Sequence, residues 1–314
     1  MARRTGRRRA AVPPLKEGLN PTRVLLAPSD DEPTVAAHLA RRFPDDAVRL
    51  VEKVAAGEVL DAALHPVAPD APATPGAVVW VYRDPPTDEP HVPFEIDVLH
   101  RDDALLVVDK PHFLSTIPRG AWVTQSVLVR LRRDLDLPTL VPAHRLDRPT
   151  AGVLVLTVDP EVRGAYQTLF ARREVTKTYE AVAPLAGVDL PVTVRSRILK
   201  ERGVPRAYEV EGEPNAESRI SLTAADHERG LGLYRLEPHT GKTHQLRLHM
   251  QRIGVPIVGD DFYPDLRHRA PDDFRDPLQL LARELRFTDP FTGVERRFVS
   301  RRVLERWPVA ESAG

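Results

Sequence analysis

Three stretches of the chain carry side chains able to do chemistry, and their order matters. HRLDRPTAG, residues 144–152, sets Asp147 between Arg145 and Arg148 just ahead of the apolar, β-branched run GVLVLT. Neighbouring positive charge favours an ionised carboxylate while burial opposes it. An ionised oxygen held in place suits a nucleophile or a base. The competing reading is a surface ion pair or a helix cap, worth under about 1 kcal/mol. KTYEA, residues 177–181, puts Tyr179 on a strand, where a tyrosine ordinarily packs in a core with its hydroxyl satisfied. The third stretch, EPHTGKTHQLRLHMQRIGVPIVGDDFY, residues 237–263, reads as a turn and then a helix bearing Lys242, His244, Arg247 and Arg252. Leu246, Leu248, Met250 and Ile253 are there to pack it. A basic helix of this kind more often marks a solvated face than a site.

Two other chemistries are excluded on spacing. GKT suggests a phosphate loop, but that motif needs glycine at 236, where the chain has Leu236. His239, His244 and His249 step by five residues, which does not stack them on one helical face as metal ligation from a helix requires. There are no cysteines, so disulfides, thiolate metal sites and thiol catalysis are all absent. The nucleophile must be an oxygen or nitrogen group.

The elements that position these residues follow from periodicity. IDVLHRDDALLVVDKP, AGVLVLTV, KTYEAVAP, RISLTAAD and LGLYRLEP read as strands, and ELRFTDPFTGVERRFV as a hairpin turning at DPFTG. SVLVRLRRDL, RGAYQTLFARR and THQLRLHMQRIG have helical spacing. Most strands are joined by too few residues for helical crossovers, so the class is α+β with a mainly antiparallel sheet. The expected division is a disordered basic tail over 1–20, a small N-terminal α/β unit over 21–85, a Pro-rich acidic linker over 86–95 and a large domain over 96–307. In the small unit TVAAHLARRF and VRLVEKVAAGEVL read as helices and GAVVWVYR as a strand. The chain has 314 residues, 42% of them hydrophobic, enough for a real core. No apolar run reaches the roughly 18 to 20 residues of a membrane span, and the basic N-terminus lacks a signal-type apolar region. The expectation is a cytoplasmic monomer. Formal net charge is +0, although arginines cluster in the tail and near the motifs.

Taken together, HRLDRPTAG, KTYEA and GKTHQLRLHMQRIGVPIVGDDFY resemble the three signature motifs of the RluA-type RNA pseudouridine synthases, in the same order. DDALLVVDKP and ELRFTDPFTGVERRF resemble that family's opening strand and closing hairpin, so the likeness spans roughly residues 90–300. The resemblance implies the pseudouridine synthase fold and isomerisation of uridine in structured RNA, ribosomal or transfer, with no cofactor and no metal. It implies that Asp147 is the catalytic aspartate, Tyr179 the tyrosine against the target base, and Arg247 the cation paired with the aspartate. It also implies that Leu246 packs in the pocket, that Arg145 fills the gap left by the extruded nucleotide, and that Lys242 and His244 are substrate-binding. The family commonly has Thr-Ser-Gly where this chain has Thr150, Ala151 and Gly152, and Gly where it has Pro264. The unit at 21–83 faintly resembles a helix-pair RNA-binding module, in which Arg41, Arg42, Arg49 and Lys53 would touch phosphates.

Two other functions fit the same residues. A non-catalytic RNA-binding or folding factor would use the scaffold without turnover. A glycoside or nucleoside hydrolase would need a second carboxylate, for which Asp260 or Asp261 could serve.

Overall fold

The structure is a computed structural model that describes residues 11–29, 31–185 and 187–307. It divides at Thr87 into two compact units. In the first unit the strands β1 (Thr22–Leu25), β2 (Leu60–Asp61) and β3 (Val78–Val81) form an antiparallel sheet of order β1-β3-β2, packed by helices α1 (Val35–Arg42) and α2 (Ala47–Ala55). Thr34 caps α1 by accepting from the Ala37 N–H. Val35, Leu39, Leu50 and Val54 from the helices close on Val24, Val79 and Val81 from the sheet.

One expectation for this region is corrected. Of the tail, residues 1–10 lie outside the described residues, but 11–20 are held to the unit: Lys16 and Leu19 exchange backbone bonds of 2.9 and 3.1 Å, and the Tyr82 hydroxyl donates to the Pro14 carbonyl. Of the cations expected to meet phosphates, Arg41, Arg42 and Arg49 are exposed, and three of the four have acidic partners. Lys53 is buried and donates to Asp84 at 2.7 Å and Glu58 at 3.3 Å, Arg49 donates to Asp84 at 2.7 Å, and Arg41 pairs with Glu32.

The second unit is built on one sheet of 11 strands. In chain order it contains β4 (Asp97–Arg101), β5 (Leu105–Lys110), α3 (Val127–Asp134), β6 (Val141–Pro142), β7 (Ala151–Thr157), α4 (Arg163–Arg172) and β8 (Thr176–Pro184). There follow β9 (Val192–Leu199), β10 (Tyr208–Val210), β11 (Ala216–Asp226), β12 (Leu231–Pro238), α5 (Gln245–Arg252), β13 (Leu280–Thr288) and β14 (Glu295–Val299). The main path runs β10-β9-β11-β12-β8-β13-β7-β5-β4, with β14 beside β13 and β6 beside β7. Every pairing is antiparallel except that of β13 with β7, where Leu281 faces Ala151 and Ala282 faces Gly152. The α+β, mainly antiparallel reading therefore holds. Strand β9 went unread in the sequence because arginines occupy its exposed positions, yet Val194, Ser196 and Ile198 alternate into the core.

The linker expected at 86–95 is an ordered strap of the second unit. The Glu89 carboxylate accepts the backbone N–H groups of Val123, Thr124 and Gln125 at 2.7 to 2.8 Å, and Val92 is fully buried in the core cluster of Leu106, Val108 and Leu128.

Candidate active site

Sheet register sets the base of the site. Leu236 on β12 faces Tyr179 on β8, Tyr179 faces Ala282 on β13, Ala282 faces Gly152 on β7, and Gly152 faces Lys110 on β5. These five residues form one row across five strands, and facing residues project from the same side of a sheet. The two smallest, Ala282 and Gly152, stand between Tyr179 and Lys110, so the sheet is low there. Only glycine fits at 152: its φ is +112°, and an added Cβ would lie 2.3 Å from the Ala282 carbonyl oxygen. The glycine of HRLDRPTAG is thus a close-approach residue at the parallel junction.

Asp147 sits on the loop entering β7, and the loop is pinned by groups outside the motif. The Thr116 hydroxyl donates to the Leu146 carbonyl at 2.8 Å and accepts the Leu146 N–H at 3.1 Å. The ammonium of Lys110, wholly buried, donates to the carbonyls of Pro111, Leu114 and Arg148 at 3.0, 2.7 and 3.1 Å. His112 Nδ1 lies 2.6 Å from the Pro149 carbonyl, and the Thr150 N–H closes a turn on the Asp147 carbonyl at 3.1 Å. Burial, with the charge of Arg148 next, holds the Lys110 ammonium well below the ordinary lysine range. Lys110, His112 and Thr116 were absent from the sequence reading. Their only signal was their position at the end of the apolar strand LLVVDKP and just beyond it.

The opposite wall is α5. Gln245 anchors its first turn: its amide oxygen accepts from the Thr240 hydroxyl at 2.7 Å and the Lys242 N–H at 3.0 Å, and its amide nitrogen donates to the Glu217 carbonyl at 2.9 Å and the Ser218 hydroxyl at 2.8 Å. Leu246 packs with Ala181, Leu236 and Leu280, and Tyr179 packs against the same cluster. The aromatic face and the apolar residue expected to hold a base therefore share one patch.

Electrostatics join the walls. The Tyr179 hydroxyl is pushed far up by burial and then by the charge of Asp147, so it is a neutral phenol. For Arg247, burial works against the charge, but the bond to Asp260 and the charges of Asp260 and Asp147 outweigh it, and the guanidinium is held above its usual range. Asp147 also acts on His244 and Lys110. Among the described residues its carboxylate has no hydrogen bond or ion pair, leaving both oxygens free for a substrate.

The expected direct pairing of Arg247 with Asp147 is not what the structure contains. Arg247 Nε donates to Asp260 Oδ2 at 2.7 Å and Nη2 to Oδ1 at 2.5 Å, both side chains being buried. Asp260 further accepts the N–H groups of Phe262 and Tyr263. The preceding Gly259 has φ +76°, and a Cβ there would meet the Pro277 carbonyl at 2.4 Å, so Gly-Asp-Asp-Phe-Tyr folds to deliver this one acceptor. The flanking arginines do not clasp Asp147 either. Arg145 is exposed, while the Arg148 guanidinium lies over the Trp122 ring, 3.7 Å from its centroid. Lys242 is exposed as well. Asp260 is spent on Arg247, and Asp261 on Arg269 at 2.6 and 3.0 Å, so neither is free to be a hydrolase's second carboxylate. A cavity of about 370 Å³ is lined by Tyr263, Arg206, Glu209 and Arg252 among others, and neither Asp147 nor Tyr179 borders it.

With this geometry in hand, known proteins place the chain. The RNA pseudouridylate synthase family profile matches residues 104–252. The tRNA pseudouridine synthase C of Vibrio vulnificus is 32% identical over 64% of this chain and 88% of its own length. The dual-specificity RNA pseudouridine synthase RluA of Escherichia coli is 34% identical over 64% of this chain and 90% of its own. The solved human RNA pseudouridylate synthase domain containing 4 superposes with a TM-score of 0.52 at 25% identity, covering 67% of this chain and 89% of that one. The chain belongs to the RluA-type RNA pseudouridine synthase family. It is an isomerase that forms pseudouridine in RNA.

Proposed function

We propose that this isomerase acts in the cytoplasm, as a monomer, on a uridine in structured transfer or ribosomal RNA, with Asp147 as the indispensable group. The observation that carries the reading is the unspent Asp147 carboxylate, whose charge acts on Tyr179, His244 and Arg247 together. Pseudouridine formation breaks the N1 to C1′ glycosidic bond, turns the uracil and joins C5 to C1′, with loss of the C5 proton. The base must stay trapped throughout, and extruding it from the stack costs a few kcal/mol. Tyr179 and Leu246 offer the two faces of the trap. Asp147 supplies the oxygen that meets the sugar or the base, as carboxylates do in glycoside cleavage. Arg247, anchored by Asp260, contributes fixed positive charge that stabilises negative charge in front of it. Arg145 and Lys242, being exposed, are left for contacts with RNA at the rim.

The test is to map pseudouridines in cellular RNA with and without the gene, then restore the gene as wild type or Asp147→Ala. Loss of a site that wild type restores and Asp147→Ala does not is the expected result. Equal restoration by both would remove Asp147 from the chemistry, whereas failure of both to alter the RNA would favour the non-catalytic scaffold.

A further inference from the structure

His244 occupies an unusual position, and its hydrogen bonds fix where its proton sits. It precedes α5 with φ +57°, a left-handed conformation uncommon for residues other than glycine. Its Nδ1 lies 2.9 Å from the Tyr263 hydroxyl oxygen, and that oxygen lies 2.6 Å from the Ala207 carbonyl. Two oxygens this close must share a hydrogen, and a carbonyl has none to give, so the Tyr263 proton goes to Ala207. Burial pushes Tyr263 up to about 12, which keeps that proton in place at neutral pH. Tyr263 can then only accept from His244, so the imidazole proton is on Nδ1. The Ala207 N–H also faces Nδ1, but at 3.5 Å it is too long to decide the tautomer.

Nε2 is consequently a bare lone pair. It has no partner among the described residues and is not sealed from solvent. The ring end carrying Nδ1 is turned to Tyr263 and Ala207, so Nε2 points the other way. His244 feels the charges of Asp147 and Arg247 and lies two residues before Leu246, which places it at the pocket. Burial, against the opposing charge of Asp147, holds the ring down to about 4, so it stays neutral in the working range.

We propose that His244 Nε2 accepts a hydrogen bond from the N3–H of the extruded uracil and thereby sets the preference for uridine over cytidine. This deepens the reading above and rests on its trapping of the base between Tyr179 and Leu246. A flipped base is read along its Watson–Crick edge, where uracil offers a donor at N3 and cytosine a lone pair. An acceptor facing N3 rewards the first and leaves two lone pairs opposed with the second. Sites that bond a substrate N–H or O–H discriminate far more strongly than apolar ones.

The test has two arms, both on the full chain. Nitrogen-15 NMR of histidine-labelled protein, with the His244 signals assigned by their loss in His244→Gln, should find protonated Nδ1 and bare Nε2 at pH 7. A proton on Nε2 overturns the proposal with no RNA involved. The second arm measures binding of the RNA carrying the mapped site, made with uridine, cytidine, 3-methyluridine or 2′-deoxyuridine at that position. Wild type should prefer uridine over cytidine and 3-methyluridine by at least about tenfold, the scale of one specific hydrogen bond. His244→Leu should compress both ratios to within about threefold, and His244→Gln, with an amide oxygen to accept, should retain part of them. An unchanged ratio in His244→Leu, in protein whose melting matches wild type, overturns the proposal. So does a collapse confined to the 2′-deoxyuridine ratio, which would put the bond on the ribose. Absence of pseudouridine in the mapping experiment would instead strike the function beneath it, leaving the tautomer measurement to stand or fall alone.

Discussion

At the residue scale, the site separates a free carboxylate from a spent one. Asp147→Ala should abolish pseudouridine formation while RNA affinity changes less than about threefold, because phosphates and shape carry the binding; nucleoside chromatography and filter binding read the two effects. Arg247 and Asp260 behave as a unit. Removing either leaves a buried, uncompensated charge, so Arg247→Met and Asp260→Ala should each cost about 3–5 kcal/mol in urea unfolding, with the double variant recovering part of the loss. Asp260→Ala should also cut turnover nearly as deeply as Arg247→Met, since an unanchored guanidinium no longer holds its charge in place. The three motifs put Asp147, Tyr179 and Arg247 within reach of a sequence reading because their residue types and order are specific. The Arg247–Asp260 pairing was not legible: it is made by a turn whose shape depends on Gly259 lying against Pro277, and the sequence carries no sign of that approach.

At the scale of elements, the loop that carries Asp147 is only as precisely placed as what grips it. Thr116→Val keeps the shape and removes both bonds to Leu146, so turnover should fall by about tenfold or more while RNA binding stays near wild type, a split that single-turnover rates and binding curves would resolve. Gly152→Ala forces a Cβ into the Ala282 backbone and a strained φ, and should destabilise the protein by more than about 2 kcal/mol, seen as a lowered urea midpoint. The strands around this junction were readable because β5 opens with the apolar run LLVV and β7 carries VLVL, runs of the kind that belong to a sheet interior. Strand β9 was not, since its arginines fall on the exposed face and dilute the alternation. The row from Leu236 to Lys110 lay out of reach because it depends on register among five strands, including one parallel pairing, and no local pattern encodes which residues come to face one another.

At the scale of the whole molecule, burial of neutral histidines should make stability depend on acidity. Burial holds His112, His244 and His249 down to about 4 and His144 to about 3. The folded forms thus bind protons less readily than the unfolded chain, whose histidines titrate near 6.5. Below about pH 6.5 the unfolded state takes up more protons, so stability should be full above that value and decline as pH falls towards 4, by up to about 1.4 kcal/mol per pH unit for each group. Urea midpoints measured at pH 7, 6 and 5 would check this, a flat series contradicting it. The division at Thr87 has a separate practical outcome. Glu89 ties the strap to the backbone of Val123–Gln125, beside the Trp122 ring that supports Arg148. A shortened protein that begins at residue 88 keeps this clasp, whereas one that begins at 96, the boundary that motif and composition suggest, sheds a staple of the very loop whose Trp122 supports Arg148, next to Asp147. Where the gene is trimmed therefore decides whether an isolated domain is a faithful stand-in for the enzyme or a weakened remnant of it.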